Sequence, residues 1–88
     1  MPLTRSSRPV VAEPNGDVSF TMATPDGVEI RCEADRDYLV AVAPNDDTKP
    51  TPRIFEEMRD LIELTASEQY DLHGADGRGV VRLAPIVV

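Results

Sequence analysis

Cys32 and His73 are the only cysteine and the only histidine in the chain, so any thiol chemistry must begin with them. A thiolate beside an imidazole would make a nucleophile with its base. Cys32 falls on the apolar side of an alternating run, where a free cysteine behaves as a small hydrophobe and a buried thiol is inert. His73 sits in the run Asp71-Leu72-His73-Gly74-Ala75-Asp76-Gly77. Asp71, His73 and Asp76 bring oxygen and nitrogen donors to one short stretch, the donor set of a metal site. The spacing lacks the alternating oxygens and distal glutamate of a calcium loop, and no second histidine is present to build a usual zinc site. Gly74, Gly77 and Gly79 lack the lysine and hydroxyl residue of a phosphate-binding loop.

Carboxylates are the other chemical resource. Glu56, Glu57, Asp60 and Glu63 lie within two helical turns of each other. Acid–base catalysis needs two such groups in different environments, one of them dry. An outward helix face keeps all of them wet, and Arg53 with Glu57 and Arg59 with Glu63 stand at ion-pairing distance along a helix. The residues imply no catalytic, cofactor-binding or metal-binding set.

The elements that position these groups follow from hydropathy period. From Thr51 to Tyr70, Ile54, Phe55, Met58, Leu61, Ile62 and Ala66 recur every three or four residues. That spacing predicts one long helix with those residues inward and Glu56, Glu57, Arg59, Asp60 and Glu63 outward. Thr51 is placed to cap it, with Pro52 at its first position. A shorter helix begins at Asp35, whose carboxylate can accept from free N–H groups one turn on. Tyr38 to Ala43 is apolar nearly all round and should be covered, and Pro44 stops it.

Before the helices, Val18, Phe20 and Met22 alternate with Asp17, Ser19 and Thr21, and Val28, Ile30 and Cys32 alternate with Glu29, Arg31 and Glu33. Pro25-Asp26-Gly27 between them is turn chemistry, so the two runs predict a β-hairpin. Asp71 to Gly79 has loop composition. Val80 to Leu83 reads as a last strand with Val81 and Leu83 inward, and Pro85 suits its edge or end. Residues 1–16 form a flexible arm rich in breakers, in which Val10, Val11 and Ala12 can make a short extended contact.

The expected architecture is a single α+β domain over residues 17–88. It has a small antiparallel sheet of about three strands, order β-β-α-α-β, with a short and a long helix packed on one face. This layout resembles domain of unknown function family 1488, a group of short bacterial proteins. The matching residues are Phe20, Asp26-Gly27-Val28, then Cys32, Asp35 and Leu39; Phe55, Arg59, Ile62, Glu63, Ala66 and Tyr70 in the long helix; and Gly77 with Val80-Val81-Arg82. The chain departs from the family pattern where Asp35 replaces a hydroxyl cap and Ala34 an aliphatic residue. The resemblance implies a small α+β fold and carries no activity.

Composition sets the surroundings. The chain has 88 residues and a net charge of −7, which disfavours nucleic acid and anionic membranes and favours basic partners. One cysteine rules out an intramolecular disulfide, and no signal peptide or membrane span is recognisable, so the chain reads as cytoplasmic. Eight arginines against one lysine suggest a GC-rich bacterial source.

Two functions follow. The first is a non-enzymatic protein-binding or regulatory module. It would use the acidic face of Glu56, Glu57, Asp60 and Glu63, and the apolar tail Ile86, Val87 and Val88 as a sheet edge for a basic protein or for a second copy. The second is a small metal-dependent hydrolase using His73 with Asp71 or Asp76. The helix assignment makes a measurable statement: with Leu61 in the core, Leu61→Ala should cost roughly 2–5 kcal/mol in denaturant unfolding.

Overall fold

The computed structural model describes residues 3–43 and 50–84. Phe20 and Met22 alternate with Thr21 and Ala23, and this period produces strand β3, Val18–Ala23. It pairs antiparallel with β4, Glu29–Ala34, in the register Val18↔Ala34, Phe20↔Cys32 and Met22↔Ile30. All six of those side chains are buried on one face of the sheet. The turn between the strands is closed by the Thr24 N–H donating to the Val28 carbonyl at 2.8 Å. Gly27 adopts φ 90°, a value L side chains avoid. Val28 belongs to this turn and is exposed, which corrects its inward assignment. Its N–H is held by the Thr24 hydroxyl at 3.0 Å, so it never joins the alternation.

Among the described residues the sheet has five strands and is mixed, where about three antiparallel strands are expected from the sequence. The two additional strands come from the segment read as an arm: β1, Thr4–Arg5, and β2, Val11–Ala12, both pair antiparallel with the outer edge of β3. Together they are one edge strand interrupted between Arg5 and Val11, a stretch containing Pro9, which cannot donate to a ladder. The last strand, β5, Val80–Leu83, lies parallel to β4. A parallel neighbour needs a long crossover, and the helical layer supplies it. Val81 and Leu83 are in the core and Arg82 is on the other face, as the alternation requires.

Among the described residues, three helices make up the second layer. Helix α1, Arg36–Val42, starts at Asp35, whose carboxylate accepts the Asp37 N–H at 2.8 Å. Only Leu39 of this helix is fully buried, and Val40 and Ala41 face outward, so the helix is less covered than its composition suggests. Pro44, expected to stop it, lies outside the described residues. The long helix is two helices: α2, Thr51–Glu57, and α3, Arg59–His73. Met58 joins them at φ −107°, ψ 16°, outside helical values, while its carbonyl still accepts the Ile62 N–H at 2.9 Å. Pro50, not Thr51, is the residue before the first turn, and its carbonyl accepts the Arg53 and Ile54 N–H groups.

The core joins the two layers. The rings of Phe20 and Phe55 lie 5.0 Å apart at a tilt of 47°. Ile54, Ile62 and Ala66 pack with them. The helical face turned to the sheet differs from the one expected. Glu63 and Ser67 are buried, while Leu61 is 45% exposed. The face is therefore rotated by about one residue, roughly 100° of helix.

Leu61→Ala consequently removes surface contact and should cost less than about 1 kcal/mol, in place of the core penalty expected above. Ile62→Ala, one residue on, should cost roughly 2–5 kcal/mol. Urea unfolding of the two variants measures both, and a larger loss at Leu61 would contradict this helix orientation.

Candidate functional site

The nucleophile–base pair does not assemble. Cys32 is fully buried, and its Sγ donates weakly to the Ile30 carbonyl at 3.8 Å. Burial pushes its thiol up to about 12, partly countered by a backbone hydrogen bond from Met22 and reinforced by the Glu63 charge. At pH 7 such a thiol is ionised in on the order of one molecule in 10⁵. His73 is exposed at the last turn of α3.

The Asp71–Asp76 stretch is also not one loop. Asp71, Leu72 and His73 are helical, and the helix ends at Gly74, whose φ of 70° turns the chain away and whose N–H still reaches the Tyr70 carbonyl. Asp76 organises the turn into β5. Its carboxylate accepts the Arg78 N–H at 2.8 Å and the Val80 N–H at 3.1 Å. These bonds hold it below the usual carboxylate range. Among the described residues, no group of three His, Cys, Asp or Glu side chains is gathered to hold a metal.

The four acidic candidates divide. Glu56 and Glu57 are exposed on α2, and Arg53 reaches Glu57 at 3.4 Å. The Asp60 side chain is fully exposed, with an Arg5 nitrogen 3.1 Å away. Glu63 points the other way, correcting its place on a wet face. Its carboxylate accepts from Arg5 Nε at 2.9 Å, Arg5 Nη2 at 2.8 Å and Arg59 Nε at 3.0 Å. Burial raises its pKa, but the two guanidiniums outweigh burial and hold it below the ordinary value. Arg59 also lies 5.6 Å over the Phe55 ring. Glu63 is therefore a structural anchor. Ile86, Val87 and Val88, the expected sheet-edge contact, lie outside the described residues.

The solvent side of the sheet carries a shallow groove of about 480 Å³ lined in part by Arg8, Glu13, Thr21, Glu29 and Arg31. Its charges oppose each other: Arg8 meets Glu29 at 2.7 Å and Arg31 meets Glu13 at 3.9 Å. Beside it, Arg82 spans Asp35 at 2.6 Å, Asp17 at 3.2 Å and Glu33 at 3.3 Å. This face neutralises itself and selects no sign of ligand.

The outward face of α3 is different. Leu61, Leu64 and Leu72 are 45%, 57% and 77% exposed. At 100° per residue they fall within one sector of the helix, with Thr65 and Glu68 between them. Thr65 donates its hydroxyl to the Leu61 carbonyl at 2.9 Å, which removes one polar group from that sector. Sequence reading assigned Leu61 inward and passed over Leu64 and Leu72. The signal was present as a second stripe, Leu61-Leu64-Leu72 at steps of three and eight, parallel to the one chosen.

A comparison with protein-family models, curated proteins and solved structures finds no match to this chain.

Two measurements check the site. Cys32 should resist a thiol reagent at pH 7 while the chain is folded and react fully in denaturant; rapid labelling of the folded protein would contradict its burial. Glu63→Gln should lower stability by roughly 1.5–3 kcal/mol at pH 7, because a charged acceptor for two guanidiniums is lost. Glu63 has a lowered folded pKa, so its contribution is complete above the unfolded carboxyl value of about 4.3 and is lost as pH falls through the folded one. The wild-type melting temperature should therefore drop below about pH 4 more steeply than that of the Gln variant. Parallel pH curves for the two proteins would count against this role.

Proposed function

We propose that the chain is a small protein-binding or regulatory module that engages its partner through the outward face of α3. The observation that carries this reading is the set of three exposed leucines, 61, 64 and 72, on a helix whose buried face is already complete. Large apolar side chains exposed together and accompanied by polar residues mark interaction sites. Asp60 borders the leucines, Glu68 lies among them, and Glu56 and Glu57 stand on the preceding helix. The acidic face expected from sequence thus stays in the proposal, without Glu63 and with leucines at its centre.

The setting we attach to this role is bacterial and cytoplasmic, from the single unpaired thiol and the arginine-rich composition. No helix among the described residues is long and apolar enough to cross a membrane. Membership of domain of unknown function family 1488 is part of the same proposal and rests on the matching residues given above. It adds no activity to it.

The test is capture from a lysate of the source organism, with the wild-type chain and two variants side by side. Leu61→Gln/Leu64→Gln keeps helix propensity and removes the apolar centre; Val11→Thr changes an exposed valine on β2. The expected result is a stoichiometric protein that is retained by Val11→Thr and reduced at least roughly tenfold by the leucine variant, the loss of about 1.4 kcal/mol or more. Identical capture by all three proteins would overturn the assignment of this face.

A further inference from the structure

Strand β5 ends the order of strands in the sheet, and a strand in that position offers bare backbone to any other chain. Its sequence, Val80-Val81-Arg82-Leu83, is β-branched or apolar apart from one arginine, the composition that pairs most readily. We propose that Gln69 is a built-in plug that keeps the outer edge of β5 from pairing with the same edge of a second copy.

The backbone directions identify the groups at stake. The Leu83 carbonyl turns toward β4, where it accepts the N–H of Asp35 at 2.9 Å. Successive residues of a strand present their N–H and C=O groups to opposite sides, so Val80 and Arg82 present theirs away from β4. Both Val80 groups are taken by Asp76. The Val80 N–H donates to Asp76 Oδ1 at 3.1 Å, and the Val80 carbonyl accepts the Asp76 N–H at 2.8 Å. The Arg82 carbonyl is taken from a different element: Gln69 of α3 donates its Nε2 to it at 2.7 Å. A strand arriving at this edge therefore meets a side-chain amide where its own N–H would have to go.

The residue type suits the task. Gln69 is the only glutamine in the chain, and its position is half-buried. An amide donates there without bringing a charge out of water. Asp76 belongs to the turn that starts β5, so its bonds are part of making the strand. Gln69 reaches over from the helix, and the strand can exist without it.

The identical edge of another copy is the occupant excluded. The opposite side of the sheet is edged by two strands of two residues each, interrupted between Arg5 and Val11, which leaves β5 as the longer edge. Two β5 edges can pair about a two-fold axis, each residue serving in both copies. Net charge does not close this route by itself. Each copy carries −7, but physiological salt screens such fields beyond about 8 Å, whereas paired strands lie about 4.8 Å apart.

Gln69→Ala removes the plug without adding apolar surface. Wild type and variant are compared by sedimentation over a concentration series in about 0.15 M salt, with amide chemical shifts locating any contact and circular dichroism confirming the fold. The expected result is a monomeric wild type and a variant that self-associates at least tenfold more tightly, with concentration-dependent shifts centred on Val80–Leu83. Adding Leu61→Gln/Leu64→Gln should leave that association in place. If Gln69→Ala does not fold, Gln69→Glu, which keeps the length of the side chain and removes its donor, takes its place in the same assay. A folded variant that stays as monomeric as the wild type would overturn the proposal, as would a wild type that already associates through Val80–Leu83. Shifts centred on the α3 leucines, or association lost with them, would overturn it as well and assign the contact to the outward face of α3.

Discussion

The buried carboxylate of Glu63, held by Arg5 and Arg59, is the constraint on which the arrangement of the helical layer depends. A carboxylate that is nearly excluded from water is stable only when its charge and its oxygens are both satisfied. Arg59 alone, four residues earlier on the same helix, gives one bond to one oxygen. Arg5 adds two nitrogens from a strand at the far edge of the sheet. With that partner present, α3 can turn Glu63 toward the sheet. The Leu3 N–H then reaches the Ser67 hydroxyl at 2.8 Å, one helical turn further on. Once Glu63 and Ser67 are inside, Leu61 and Leu64 must be outside, because the helix has one rotation.

The two faces of the molecule consequently differ in character. On the sheet, positive and negative side chains alternate across neighbouring strands. Arg82 ties the start of β3, the end of β4 and the N-cap of α1 together through Asp17, Glu33 and Asp35. Asp17 also accepts the Arg36 N–H at 2.9 Å, so the same carboxylate supports the first turn of α1. That surface is stabilised from within and has little left to offer a charged partner. On α3 the single arginine faces inward, three leucines face outward, and Asp60 beside them is met by Arg5 from the edge strand.

Much of the fold was legible because it follows from local rules. The hairpin, the Asp35 cap and the inward positions of β5 all come from alternation, turn chemistry or capping within a few residues. What escaped was non-local. Thr4 and Arg5 have no periodic pattern, and their strand exists only because β3 offers an unpaired edge. Glu63 looks like a surface residue in any window of sequence, since the arginine that neutralises it is 58 positions away. The parallel pairing of β5 with β4 has no signature in either strand. The candidate site escaped for the same reason: two apolar stripes run along α3, and a residue outside the helix decides which one is buried. His73 with Asp71 and Asp76 looked promising as a string of donors, but the helix end at Gly74 separates them into a helix face and a turn.

The contact between Leu3 and Ser67 closes a loop of 64 residues, nearly the longest in the chain. Chain entropy makes such closures costly until both ends are already held in place by other structure. The edge strand itself pairs with β3 at separations of only 6 to 19 residues, so short-range pairing seats the N-terminal segment on the sheet. Its bonds to Glu63 and Ser67 then span nearly the whole sequence. The N-terminal segment is thus a clasp: held locally at one edge of the sheet, it fastens the far helix to that edge.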